Sequence, residues 1–197
     1  MSASLGSAST GTKTDAPTTG LVLVAKVAGQ VDLEHQGRRT RVLAEQSVPS
    51  GATLFTSAEA SVVLVFSNAA TVQLGADSVL GVREYRQAPF AGVVKLGEAT
   101  EEPSVSTTVL HLERGELVGQ TLRLRLEQGS SFRVRTAAGD FDVQEPASNA
   151  FTIALRRATT GSLEVQAKVT REMAFSPKSG PPVLVTPAKP LRQTIVP

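Results

Sequence analysis

Apolar and polar positions alternate in short runs through residues 48–85, VPSGATLFTSAEASVVLVFSNAATVQLGADSVLGVREY. The runs are Thr53-Leu54-Phe55-Thr56, Ser61-Val62-Val63-Leu64-Val65-Phe66, Thr71-Val72-Gln73-Leu74 and residues 78–84. Pro49-Ser50-Gly51, Ser57-Ala58-Glu59, Ser67-Asn68 and Gly75-Ala76-Asp77 separate them. Val, Leu, Phe and Thr in short stretches bounded by Gly, Asn, Asp, Ser and Pro predict strands joined by tight turns. Leu64 and Phe66 fall on one face of their strand and are assigned to the core.

The same rhythm extends in both directions. Residues 21–27 turn at Ala28-Gly29-Gln30 and resume at 31–35; Gln36-Gly37-Arg38 then predicts a hairpin that returns through 40–43. After Ser104, strands are expected over 105–112, 116–119, 131–136, 140–143, 150–156 and 162–169, with Arg114-Gly115 as punctuation. Leu122-Arg123-Leu124-Arg125-Leu126 alternates strictly and reads as a strand with leucines inward and arginines outward. No window sustains a helical period; residues 113–127, the best candidate, contain too much glycine and end in twofold alternation.

Three stretches break the pattern. Residues 1–20 are Ser, Thr, Gly and Ala with almost no large apolar side chain, and read as a flexible tail. Residues 86–103 read as a loop excursion with one short apolar run, Val93-Val94-Lys95-Leu96; the charge run at 98–102 reads as a solvated turn. Residues 176–197 carry six prolines, which leaves at best an edge strand at Val183-Leu184-Val185 followed by a tail. The expectation is one all-β domain over 21–175, a short-strand twisted solenoid-like or sandwich arrangement. The recurring apolar-x-apolar unit favours stacked rungs.

Composition narrows the function. Formal charge is +2 with no clustering of basic and aromatic residues, which argues against nucleic acid as a partner. Cysteine is absent, removing disulfides, thiolate catalysis and zinc-thiolate sites, and this suits either redox compartment. Trp is absent and Tyr85 is the one tyrosine, so the core rests on Val, Leu, Ala and seven phenylalanines. No apolar run reaches transmembrane length, and residues 1–20 lack the apolar centre of a signal peptide.

Candidate chemistry is sparse. His35 and His111 lie on strand-like runs beside Glu34 and Glu113, but sequence neighbours on a strand face opposite ways and make no chelating pair. Asp140 and Asp142 share a face and read as the outer side of an alternating strand. There is no nucleophile elbow, Ser-x-x-Lys or phosphate loop. No catalytic residue, cofactor or metal site is expected. The most notable cluster is Arg123, Arg125, Arg133 and Arg135. Its plain reading is solubilising decoration. If the two strands were neighbours, the four would form a basic ladder facing an acidic partner or anionic lipid.

Several of these segments together resemble the FecR domain. They are Gly29-Gln30-Val31, residues 43–51 before Thr53-Leu54-Phe55-Thr56, then SVVLVFSNAATVQLGADSVLGV, LERGEL and residues 129–136. The similarity runs from about residue 21 to 143, with 169 as its outer limit, and EEPSVSTTVLHLERGELVG is similar to a long-insert form found in exported proteins of verrucomicrobia-like bacteria. The resemblance implies a periplasmic or exported, noncatalytic β module that binds another, envelope-associated protein and relays a signal. The alternative is a structural scaffold of the envelope that binds glycan or surface polymer. The chain departs from the family where a valine-arginine-glycine-threonine motif is usual: Val143 is followed by Gln144-Glu145-Pro146. Metal-citrate sensing is therefore not carried over.

Overall fold

The computed structural model describes residues 18–91, 98–159 and 161–195. Of the tail expected over residues 1–20, residues 1–17 lie outside the described residues, as does the run Val93-Val94-Lys95-Leu96; Thr18-Thr19, near its end, is not a tail but a short strand paired with Arg86 and Gln87. In chain order the strands are β1 (Thr18–Thr19), β2 (Val22–Ala28), β3 (Val31–His35), β4 (Arg38–Arg41), β5 (Thr53–Thr56), β6 (Ser61–Phe66), β7 (Thr71–Leu74) and β8 (Val79–Gln87). They continue as β9 (Ser106–Thr121), β10 (Ser131–Thr136), β11 (Gly139–Val143), β12 (Asn149–Arg157), β13 (Leu163–Val169), β14 (Met173–Pro177), β15 (Val183–Val185) and β16 (Leu191–Ile195).

The expected all-β architecture is what forms: two sheets that share one strand pack over one core as a sandwich, not the stacked rungs that the recurring unit favoured. Sheet I runs β15-β14-β11-β10-β9-β8-β5-β3-β4, with β1 paired to the end of β8. Sheet II runs β16-β13-β12-β9-β7-β6-β2. Both contain β9. Its first half pairs with β8 and, in parallel, with β10; its second half pairs with β7 and β12. Gly115, read from sequence as a break, instead lets one strand cross from one sheet to the other.

The crossing has a specific chemistry. Gly115 has φ +92°, a left-handed conformation that suits glycine. A Cβ there would lie 2.6 Å from the Ser78 Cα. The Ser78 hydroxyl accepts from the Glu116 N–H at 3.1 Å and donates to the Ala76 carbonyl at 2.9 Å. Beneath it, the Thr56 hydroxyl accepts from the Ser78 N–H at 2.9 Å. These groups sit at the start of β8 and fix how far β9 swings.

Alternation places the core. Leu54, Leu80, Leu110, Leu112, Phe132, Val134, Phe141 and Phe175 from sheet I meet Val62, Leu64, Phe66, Val72, Leu74, Leu117, Phe151 and Ile153 from sheet II in one continuous cluster. Phe132 meets Phe151 edge-on across the sandwich, with ring centroids 5.6 Å apart. Gly119 leaves the space that the Phe151 ring fills: a Cβ there would come within 2.9 Å of ring carbons. The hairpin expected at Gln36-Gly37-Arg38 forms with a two-residue turn of the I′ type, Gln36 and Gly37 both being at positive φ and Arg38 already pairing with His35.

Two segments differ from expectation. Residues 122–126 are not a strand: the chain leaves β9 and turns through a short 3-10 turn (Leu126–Gln128), because a strand that must return parallel to β9 needs a crossover. Residues 176–197 are not a tail after Val185. β15 is the expected edge strand on β14, but the chain then crosses the sandwich and β16 closes the end of sheet II against β13.

Gly115→Ala is expected to destabilise the domain by about 2–5 kcal/mol, from left-handed strain plus overpacking on Ser78, read as a lower urea midpoint. Leu64→Asp and Phe66→Asp each bury an unpaired charge and are expected to abolish the cooperative thermal transition in circular dichroism.

Candidate interaction surface

The four arginines singled out in sequence do not form one ladder. Arg133 and Arg135 point outward from β10, where Arg133 meets Asp142 at 2.6 Å and Arg135 meets Asp140 at 3.8 Å on β11. The Asp142 hydrogen bond holds the Arg133 guanidinium above its ordinary value. Arg125 lies in the crossover, 3.0 Å from Glu101, and Arg123 forms an isolated bridge with Glu101 there. Three of the four are matched by a carboxylate, and the crossover separates the pairs. Arg123 and Arg125 line a shallow hollow of about 180 Å³ with Glu101, Glu127 and Pro146.

The outer face of sheet I is laced with charge pairs throughout. Arg39 pairs with Asp32 and lies 4.1 Å over the Phe55 ring; Arg83 pairs with Glu113 at 3.0 Å. His111 faces outward as expected, 3.3 Å from Arg83 and 3.9 Å from Glu113. Burial, then the Arg83 charge, lowers its pKa against the opposing pull of Glu113. Among the described residues no three His, Cys, Asp or Glu gather as a metal-holding group. A larger hollow of about 520 Å³ lies at the β9 bend, lined by Arg114, Arg156 and Arg157 but also by Asp77 and Glu116. It presents mixed sign and no histidine or serine.

A buried polar network at the other end of β9 escaped sequence reading. Glu102, assigned to a solvated turn, is fully buried. Its carboxylate accepts from the Ser106 hydroxyl and from the Arg125 N–H, each at 2.6 Å. Ser106 in turn accepts from the Asn68 amide at 2.9 Å, and the Asn68 N–H donates to the Tyr85 hydroxyl at 2.8 Å. Tyr85 donates to Gln87 at 2.9 Å and packs edge-on against Phe66. The network ties the end of the excursion to β9, the β6–β7 turn and β8, so it stabilises rather than presents a site. Three glutamates within five residues gave no hint that the last of them turns inward.

The sheet edges are unequal. At the β2 edge, residues 45–48 lay backbone along the strand: Val24 donates to Gln46 at 2.9 Å, Glu45 to Val24 at 2.8 Å and Val48 to Val22 at 2.8 Å. At the β4 edge all four residues are exposed and three are arginine, a composition that discourages strand addition. On the opposite side, β15 is short and flanked by Pro181, Pro182 and Pro187. β16 has a second edge that faces no other described strand. β15 lies against β13, and β16 pairs with β13 alone. Leu191 and Ile195, on the inner side of β16, pack on the core yet stay half-buried. Leu184 is 45% exposed nearby.

No family model matches the chain, and no curated protein matches it. Among solved structures the chain is similar to one named "putative anti-sigma factor" from Parabacteroides distasonis ATCC 8503, with 13% identity and a TM-score of 0.43. The match covers 72% of this chain and 58% of that one. No helix among the described residues is long and apolar enough to cross a membrane.

Burial pushes the Tyr85 phenol up to about 12, against the partly opposing hydrogen bonds of Ser67 and Asn68, and the Glu102 charge adds to the rise. With no tryptophan and one tyrosine in the chain, ultraviolet difference absorbance reads this group alone. The expected midpoint is near pH 12 in native protein and about 10 in urea. Because the folded value is the higher, the stability Tyr85 contributes is whole below about pH 10 and is lost as pH climbs toward the folded value.

Proposed function

We propose that this chain is a noncatalytic protein-interaction module that relays a signal in a bacterial envelope, in a periplasmic or exported setting. The observation that carries the reading is the inequality of the edges. Strand addition by a partner needs an unpaired ladder; one side of the sandwich is covered or guarded by arginine, and the other ends in β16. The order of motifs that resembles the FecR domain supports the same reading. The charge pairs of the sheet I face support it negatively, because paired side chains leave little field to steer a ligand.

The test places a photocrosslinking residue at Gln193 or Leu184, or at Thr40 on the guarded edge, in cells expressing the gene from its native start. A discrete protein adduct from Gln193 and Leu184, absent from Thr40 and found in the envelope fraction, is the expected result. Tight retention on isolated cell wall with no adduct transfers the reading to a scaffold that binds glycan or surface polymer. A cytosolic location with an adduct keeps the interaction and removes the envelope.

A further inference from the structure

The edge that supports the interaction reading also specifies what fits it. Along β16, side chains alternate: Leu191, Gln193 and Ile195 face the core side and are half-buried, while Arg192 and Thr194 are exposed. Leu191 and Ile195 pack on the core but stay half-buried, on a strand that is paired along one side only. An added strand therefore gains by placing apolar side chains on the inner side, where they complete the cover over these two residues. On the outer side it meets Arg192 and Thr194; on the neighbouring strand Gln166 stands opposite Arg192, with Lys168 and Glu164 on its two diagonals, and Lys189 lies just before β16, so the outermost strand itself carries only basic charge. No acidic residue occurs from 173 to 197, whereas Lys178, Lys189 and Arg192 all fall there. Unlike Arg133 or Arg83, Arg192 has no carboxylate within ion-pair distance among the described residues.

We infer that β16 accepts an extended segment of a partner protein in which apolar residues alternate with Asp or Glu, the apolar set facing Leu191 and Ile195 and an acid facing Arg192. This rests on the protein-interaction reading above. A second copy of the chain is the competing occupant, and it suits the edge poorly. Two copies paired edge to edge bring Lys189 and Arg192 of both onto one seam with no acid between them.

Fluorescence anisotropy with the whole chain and a labelled peptide, Ser-Val-Glu-Ile-Glu-Val-Thr, tests it, beside a version with Lys for Glu. The acidic peptide is expected to bind saturably and the lysine peptide not. Arg192→Glu is exposed and should fold; it is expected to weaken the acidic peptide at least tenfold and to confer binding on the lysine peptide. Arg38→Glu, on the opposite edge, should change neither. No binding of the acidic peptide, or equal binding by wild type and Arg192→Glu, overturns the inference, as does a chain that elutes as a dimer which the peptide leaves intact. If Gln193 still crosslinks to a protein while the peptide fails, the interaction reading stands and only the acidic strand falls. Loss of the crosslink removes both.

Discussion

Both sheets hang on the turn that β9 makes at Gly115. A residue with φ +92° directly over the buried Ser78 directs one half of the strand into sheet I and the other into sheet II. The Ser78 hydroxyl holds the Glu116 N–H at the point where the strand changes partners. The Glu116 carbonyl accepts from the Gly75 N–H at 2.9 Å, so the β7–β8 turn is fastened to the same place. A side chain at 115 has no direction in which to go. The single hydrophobic cluster follows from this arrangement, because residues of β9 line it from both sheets.

The opposite end of β9 is held by charge rather than by space. Glu102 and Ser106 join the incoming chain to the crossover that leaves the same strand, through Arg125. Buried polar groups that satisfy one another in this way fix a unique geometry, since any slip leaves a desolvated partner unmatched. The strand is thus defined at its start by hydrogen bonds to a carboxylate and at its middle by the absence of a side chain. Between these points, Leu110 and Leu112 have one possible register.

Much of this was legible from local pattern. Twofold alternation placed Leu64, Phe66, Phe141 and Val143 inside, and Gln36-Gly37 specified its turn, because both signals are settled within a few residues. What misled was also local. Leu122 to Leu126 alternates like a strand, and Leu124 does turn inward, yet among the described residues it finds only the single bridge of Arg123 with Glu101 and no ladder while the chain crosses over. The prolines after 176 argued for a tail, but an edge strand needs donors on one side only, and β16 fits between Pro190 and the chain beyond. Glu102 and Gly115 owe their roles to partners far away in sequence. The interaction surface belongs to this second kind, since an edge exists only once the order of strands is known.

A strand owned by two sheets also sets a clock. β9 is 16 residues long, and its second half finds its partners only in β7, before the excursion, and β12, beyond β10 and β11. Closing such distant ladders costs chain entropy before any contact repays it, which puts proteins of this topology among the slow folders, at about milliseconds to seconds. Until then the newly made chain carries a long, unpaired strand with the leucines of its core face uncovered. Its maturation is a race between that closure and pairing with a neighbouring molecule, and crowding of nascent copies shifts the odds toward aggregation.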